Sequence, residues 1–312
     1  MTKKIATREA YGEALIEVGN KNKNVVVLDA DLSKSTKTNG FLKEFPDRFF
    51  NMGIAEQNLM GTAAGLAASG KIPFASTFAM FASGRAFEII RNSICYPKLN
   101  VKICATHAGV TVGEDGASHQ ALEDIACMRV LPNMVVINPA DAVSTRKAIL
   151  KIAEYEGPVY VRLGRLGVPV LYDENFEFEI GKGIQLKDGK DVTIIATGIM
   201  VAEALEAKEM LKADGIDARV IDIHTIKPID TDLILKAAQE TGAIVTAEEH
   251  NIIGGLGSAV AEVLVEGTPV PMKRIGTKDT FGESGKPADL MKKYGLTASD
   301  IAGAVKEIMK KK

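Results

Sequence analysis

The chain has 312 residues, 46% hydrophobic and 25% charged, with 38 Lys and Arg against 40 Asp and Glu for a formal net charge of −2. That length exceeds the usual single domain and points to two, each with enough sequence for its own core. The balanced charge gives no long-range attraction for nucleic acid or an acidic membrane, and no run has the length of a signal peptide core or a membrane span. The three cysteines, Cys95, Cys104 and Cys127, form no CxxC pair and sit among apolar neighbours, so we expect buried thiols and a reducing, cytoplasmic setting.

In chain order, apolar periodicity from Ile5 to Gly19 predicts a helix, and Val25-Val26-Val27-Leu28 a buried strand ending at Asp29-Ala30-Asp31. The polar stretch DLSKSTKTNG follows as a loop. A short strand around Phe49–Met52 leads through Gly53 into an Ala- and Gly-rich helix, Ala55–Ser69. Strand Ile72–Ala75, helix Ser83–Ile94 and strand Val101–Ala105 continue the alternation, then helix Ala121–Met128, strand Met134–Asn138, helix Asp141–Ala153 and strand Val159–Leu163. From Gly164 to roughly Gly183 the pattern lapses into Gly, Pro, Asp and Asn, which reads as a linker over the surface. A second alternating unit begins at Asp191 and closes with an amphipathic helix, Ser299–Lys311. The expectation is an α/β protein of two domains, residues 1–175 and 176–312, each built on a mostly parallel sheet.

The densest chemistry lies in His107–Gln120, HAGVTVGEDGASHQ, with two histidines, adjacent carboxylates and three glycines beyond a predicted strand end. Open α/β sheets bind ligands there, and imidazoles donate, accept and carry protons near neutral pH. Glu56 begins a helix just past another strand; position alone makes it an ordinary helix-dipole acid. The small residues that follow, Gly61, Ala63, Ala64, Gly65, Ala67 and Ala68, let another backbone or a cofactor approach closely. Phe78 and Phe81 are either core residues or a stacking wall for a flat ring. Gly254-Gly255-Leu256-Gly257 has the form of an anion-binding turn, though a helix cap accounts for it; His224 and His250 lack metal-ligand spacing and read as structural.

Together MGIAEQN, STFAMF, ATHAGVTVGEDGASHQALED and LPNMVVINPAD resemble the thiamine diphosphate-dependent transketolases, in that family's order and spacing across essentially the whole chain. The resemblance implies a pyrimidine-binding domain to about residue 175, followed by the transketolase C-terminal domain. It makes Glu56 the carboxylate that hydrogen-bonds N1′ of the cofactor's aminopyrimidine, sharing a proton there. Phe78 and Phe81 would pack on that ring, with Phe81 the nearer match to the family's stacking aromatic. Asp31 and Leu32 would line the thiazolium. Ser35 and Arg165 match acceptor-phosphate ligands, His107 a histidine near that phosphate, Asp115 a carboxylate reading a sugar hydroxyl, and His119 a histidine near the reacting carbonyl. Many full-length members carry an aromatic at the position of Gly84; here Arg85 stands beside it, either as a substitute or only as partner to a carboxylate.

The diphosphate and its divalent metal need a GDG sequence with a later Asn, and this chain has none. No metal ligands are therefore expected here. The resemblance implies half an active site: the C-terminal subunit of a split transketolase, completed by an N-terminal subunit carrying GDG and Mg2+, as a dimer of heterodimers acting on sugar phosphates. Alternatives are the β subunit of a 2-oxoacid dehydrogenase, a deoxyxylulose-phosphate synthase-like half, and a non-catalytic regulatory subunit. His107 and the GEDGxxHQ pattern disfavour the first two, and Glu56 beside both phenylalanines the third.

Overall fold

The run Val25–Leu28 carries no polar position because its strand has no solvent face: every residue of it is buried in a sheet covered by helices on both sides. A computed structural model describes residues 3–312, so residues 1 and 2 of the first expected domain lie outside the described residues. The first part runs β1 (Lys4–Ala6), α1 (Thr7–Lys21), β2 (Val25–Asp29), the short α2 (Ser33–Thr36) and α3 (Asn39–Glu44), β3 (Phe49–Asn51), α4 (Glu56–Ala68), β4 (Ile72–Phe78), α5 (Phe87–Ile89), β5 (Lys102–Thr106), α6 (Asp124–Arg129), β6 (Val135–Ile137), α7 (Ala142–Glu154), β7 (Val159–Arg162) and β8 (Gly167–Pro169). The second continues with β9 (Ile184–Lys187), β10 (Val192–Ala196), α8 (Met200–Ala213), β11 (Ala218–Asp222), β12 (Thr225–Lys227), α9 (Thr231–Thr241), β13 (Ile244–Asn251), α10 (Leu256–Glu266), β14 (Met272–Thr277), α11 (Pro287–Lys293) and α12 (Ala298–Met309).

Seven strands form the first sheet in the order β12-β6-β7-β5-β4-β2-β3, parallel throughout except where β12 joins β6. Successive side chains of a strand point to opposite faces, and β2 divides accordingly. Val25 and Val27 pack with Tyr11 and Leu15 of α1 and Ile149 of α7. Val26 and Leu28 pack with Leu59 and Met60 of α4 and with Ile90 and Ile94. The second sheet, β14-β13-β10-β11-β9, is parallel apart from β9, and buries its own cluster beneath α8 and α12. The two α/β domains expected from the sequence are present.

Several boundaries differ from the sequence expectation. The predicted helix 83–94 is a composite in which α5 lies between two π-helical stretches, Phe81–Arg85 and Ile90–Cys95. The predicted linker supplies β8, paired antiparallel with β1 so that Lys4 faces Pro169. Residues past β11, for which the sequence pattern named no element, return to the first sheet as β12, where Thr225 faces Ile137. β13 runs past its apolar stretch to Asn251, carrying Glu248, Glu249 and His250 as buried polar residues that an apolar pattern cannot register.

Candidate active site

β2 connects outward to β3 and then back across to β4, so the strand order reverses between β2 and β4, where an open parallel sheet leaves a crevice at its carboxyl ends. Asp31 and Leu32 follow β2, Phe78 ends β4, and His107 follows β5. Asp29 organises the β2 exit: its carboxylate accepts from Leu32 N–H at 2.6 Å, Thr36 Oγ1 at 2.7 Å and Thr38 Oγ1 at 2.9 Å. Asp31, at φ 64°, is exposed and accepts from Asn51 Nδ2 at 2.8 Å, tying the loop to the end of β3.

Glu56 is the first residue of α4, and its side chain is only 1% exposed. Arg85 Nη1 donates to Glu56 Oε2 at 3.2 Å, and the same guanidinium lies over the Phe81 ring, 5.1 Å from its centroid. Of the two roles the sequence left open, Arg85 shows the pairing with a carboxylate, and its guanidinium also covers Phe81. At Gly84 an added Cβ would lie 2.6 Å from Met80 Cε, so Met80 fills the space beside it. Phe78 and Phe81 are nearly parallel, with centroids 6.0 Å apart. Phe78 does not offer a free face: the His107 ring stacks on it at 3.8 Å.

His107 is buried at φ 58° and joined to a group that sequence reasoning missed. Arg8 Nη1 donates to His107 Nε2 at 3.1 Å and to the Ser35 carbonyl at 2.8 Å. Because Arg8 can only donate, Nε2 accepts and the imidazole proton sits on Nδ1, directed at Thr106 Oγ1 2.8 Å away. Burial, then Arg8 and Arg165 and more weakly Lys37, push His107 down to about 3. The expectation that this imidazole carries protons near neutral pH therefore needs correction: it is a neutral ligand held in place. Arg8 itself is pushed down by burial and by Arg165, which marks a concentration of positive charge. The only sequence clue to Arg8 was its place at the start of an amphipathic helix, where a basic residue is ordinary.

His119 is half-buried, edge-on to Phe81 at 5.3 Å, with Nδ1 2.9 Å from Ser118 Oγ. Asp115 is exposed on the same loop. Arg165 donates to the Val112 carbonyl and pairs with Glu114 at 3.2 Å, so its guanidinium reaches the loop from the far side. Of the ten candidate residues, Glu56, Phe81, Phe78, His107 and Ser35 fall along one run of contacts completed by Arg85 and Arg8, and His119 packs edge-on to Phe81; Asp31 and Leu32 lie at the β2 exit, and Asp115 and Arg165 lie on and against the His107 loop.

The second domain also reaches the site. Glu249 Oε1 accepts Thr111 N–H at 2.7 Å, and an added Cβ at Gly109 would lie 2.1 Å from the Glu249 carboxyl carbon. Gln120 Nε2 donates to Val110 O, Gly113 O and Glu283 O, closing the loop from the other end. A cleft of about 630 Å3 lies between Phe81, Arg85 and Ser118 on one side and Asn251 and Phe281 on the other. The amides of the Gly254–Gly257 turn are taken by an internal carboxyl group: Glu248 accepts from Leu256 N–H at 2.7 Å and Gly257 N–H at 2.8 Å. His224 and His250 are buried and structural, each pushed down to about 4 by burial. Among the described residues no group of three His, Cys, Asp or Glu is placed to hold a metal ion.

The chain matches the family model of the transketolase pyrimidine-binding domain over residues 3–169 and that of the transketolase C-terminal domain over 181–301. A protein of Methanocaldococcus jannaschii described as a transketolase C-terminal section is 60% identical over 307 residues, covering 97% of this chain and 96% of that one. A 6-deoxy-6-sulfo-D-fructose transketolase subunit of a Clostridium species is 45% identical, covering 98% and 95%. Among solved structures, a split-gene transketolase in an inactive β4 tetramer is 65% identical with a TM-score of 0.93, covering 98% of this chain and 99% of that one. Against human transketolase, 40% identical, the chain spans 50% of the length. This chain belongs to the transketolase family.

Proposed function

We propose that this chain is the C-terminal subunit of a two-chain transketolase that moves a two-carbon ketol unit from a ketose phosphate to an aldose phosphate in the cytoplasm. An N-terminal subunit carrying GDG would hold the diphosphate and Mg2+, and two of each chain would enclose the cofactors as a dimer of heterodimers. The observation that carries this reading is the contact run itself: a buried carboxylate whose Arg85 partner lies over Phe81 at one end, and the Arg8 guanidinium 3.1 Å from a buried neutral histidine at the other. The first end fits an aminopyrimidine and the second an anionic sugar terminus. The sequence carries no GDG, the motif that holds the metal and diphosphate in the family it resembles, which is why the reading calls for a partner.

Thiamine diphosphate, when bound, supplies the nucleophilic carbon and electron sink that carry the two-carbon fragment. The remaining roles belong to this chain. Glu56 Oε2 holds or shares the proton at the ring nitrogen facing it, and its burial keeps water from competing for that bond. Phe81 and the Phe78–His107 stack wall off the reacting face, while Asp31 and Leu32 border it from the β2 exit. His119, half-buried and edge-on to Phe81, would orient a carbonyl or hydroxyl of the sugar. Asp115 reads a hydroxyl farther out, and Ser35, Arg165 and Arg8 receive the phosphate, the neutral His107 holding the Arg8 guanidinium in place for its charge-assisted hydrogen bonds.

A second reading concerns the substrate alone. The 45% identical relative is a 6-deoxy-6-sulfo-D-fructose transketolase subunit, and guanidinium groups accept a sulfonate as they do a phosphate. The test is ketol transfer from xylulose 5-phosphate to ribose 5-phosphate, with thiamine diphosphate and magnesium, for this chain alone and after co-expression with a GDG-bearing partner. Activity only in the mixture supports the proposal. Activity of this chain alone refutes the half-site, and an inactive complex that turns over a 6-sulfo ketose moves the assignment to the second reading.

A further inference from the structure

Glu56 and Arg85 are unequal partners. The carboxylate is 1% exposed and cannot turn to water for hydrogen bonds, whereas the guanidinium side chain is 54% exposed. A buried carboxylate without a donor is costly, so something must face it in every state of the protein. Here that something is planar, cationic and rich in N–H, donates to Oε2 at 3.2 Å and rests over Phe81 at 5.1 Å. These are the two contacts an aminopyrimidine would make in the same place: a nitrogen facing the carboxylate and a flat face on the aromatic.

The surroundings let the guanidinium leave without unfolding anything. Gln57 Nε2 donates to the Arg85 carbonyl at 3.3 Å, so the backbone of the π-helical turn is tethered to α4 while the side chain is not. The adjoining cleft of about 630 Å3, lined by Met80, Gly84 and Arg85 itself, has room for a displaced side chain as well as a ring.

We propose that Arg85 is a cofactor-site residue whose guanidinium stands in for the aminopyrimidine, so that it sets cofactor affinity by having to be displaced. The inference rests on the cofactor reading above. It gives the unliganded chain a satisfied Glu56 and a covered Phe81, at the expense of binding strength. Removing an occupant tightens binding by the factor with which it held the site closed; one ion pair with a half-exposed guanidinium plus one cation–π contact at an exposed site corresponds to roughly 5- to 30-fold.

The experiment is calorimetric titration of thiamine diphosphate, at fixed magnesium, into the full chain assembled with its GDG-bearing partner. Arg85→Ala and Arg85→Met should each lower the dissociation constant by roughly that 5- to 30-fold factor. Free guanidinium at millimolar concentration should weaken binding to Arg85→Ala back toward the wild-type value, a response that a merely structural role would not produce. Equal or weaker binding in both variants, or tighter binding without guanidinium competition, overturns the proposal and leaves the cofactor reading standing. Failure of wild type and variants alike to bind the cofactor overturns that reading and this proposal with it.

Discussion

Glu249, at the end of a strand in the second sheet, accepts the backbone N–H of Thr111 at 2.7 Å, and so fixes the loop that carries His107, Asp115 and His119 from outside the domain that owns it. Arg162 reinforces the junction. It binds the Asp124 carboxylate through Nε at 2.9 Å and donates to the Glu249 and Ala121 carbonyls, all with side chains buried.

Burial raises the Glu249 carboxyl to about 7, against the pull of Arg162 and Thr111. The native state therefore keeps this proton over a range where the unfolded chain, near the ordinary carboxylate value of about 4.3, has lost it. A raised carboxyl works against the fold as pH rises: stability falls between about pH 4.5 and 7 and then levels off. Glu249→Gln fixes the neutral form and keeps an acceptor for Thr111. Its melting temperature relative to wild type should climb across that window by roughly 2–6 °C and stay constant above it. A pH-independent difference, read by thermal denaturation at several pH values, would remove Glu249 from the titration.

Gly109 sits at φ 84° with the Glu249 carboxylate pressed against its backbone. Gly109→Ala meets both a left-handed backbone and a 2.1 Å overlap, so the loop or Glu249 must move. We expect a loss of about 1–3 kcal/mol in stability and a larger proportional loss in kcat/KM, since the histidines ride on the displaced segment. Denaturant titration beside steady-state kinetics checks it; unchanged kinetics would show the loop to be indifferent to its second-domain tether.

Arg8→Ala should raise KM for phosphorylated sugars roughly 10- to 100-fold, the range for losing a hydrogen bond to a charged group, while leaving unphosphorylated acceptors nearly untouched. Equal losses with both classes of sugar would mean that Arg8 only supports His107 and Ser35. A companion measurement concerns His107, pushed down to about 3. His107→Asn should leave every limb of the pH–rate profile between pH 5 and 9 in place while lowering its height.

Glu56→Gln keeps an acceptor for Arg85 but cannot take or hold a proton. Turnover should fall by roughly 100- to 10,000-fold, with assembly and melting temperature near those of wild type. Turnover near normal in a pre-steady-state assay would take Glu56 out of the proton path.

Much of this was legible in the residues because the signals are local. A strand such as Val25–Leu28 announces burial on both faces by having no polar position, and Glu56, Phe78, Phe81 and the His107 loop all follow predicted strand ends. What was illegible depends on distance along the chain. Arg8 meets His107 across 99 residues and Glu249 meets Thr111 across 138, and nothing in the sequence around either partner marks the other. Arg85 was legible as a charge beside Gly84, but its partner depended on the π-helical turn that sets it across from α4. β12, three residues long and at the edge of the other domain's sheet, carries too little pattern to be seen.

That short strand changes what the domain boundary means. β12 belongs to the second domain by sequence and to the first by hydrogen bonding, while β8 of the intervening segment pairs back to β1 near the chain's start. A nick anywhere between Leu171 and Gly183 would therefore leave two fragments still clasped to each other, whereas deleting everything after that point would strip β6 of β12, one of its two neighbours, and present a bare edge to solvent. For protein engineering, the stretch that looks most like a seam is a poor place to divide this molecule: the halves are stitched across it, and they are expected to melt as one unit.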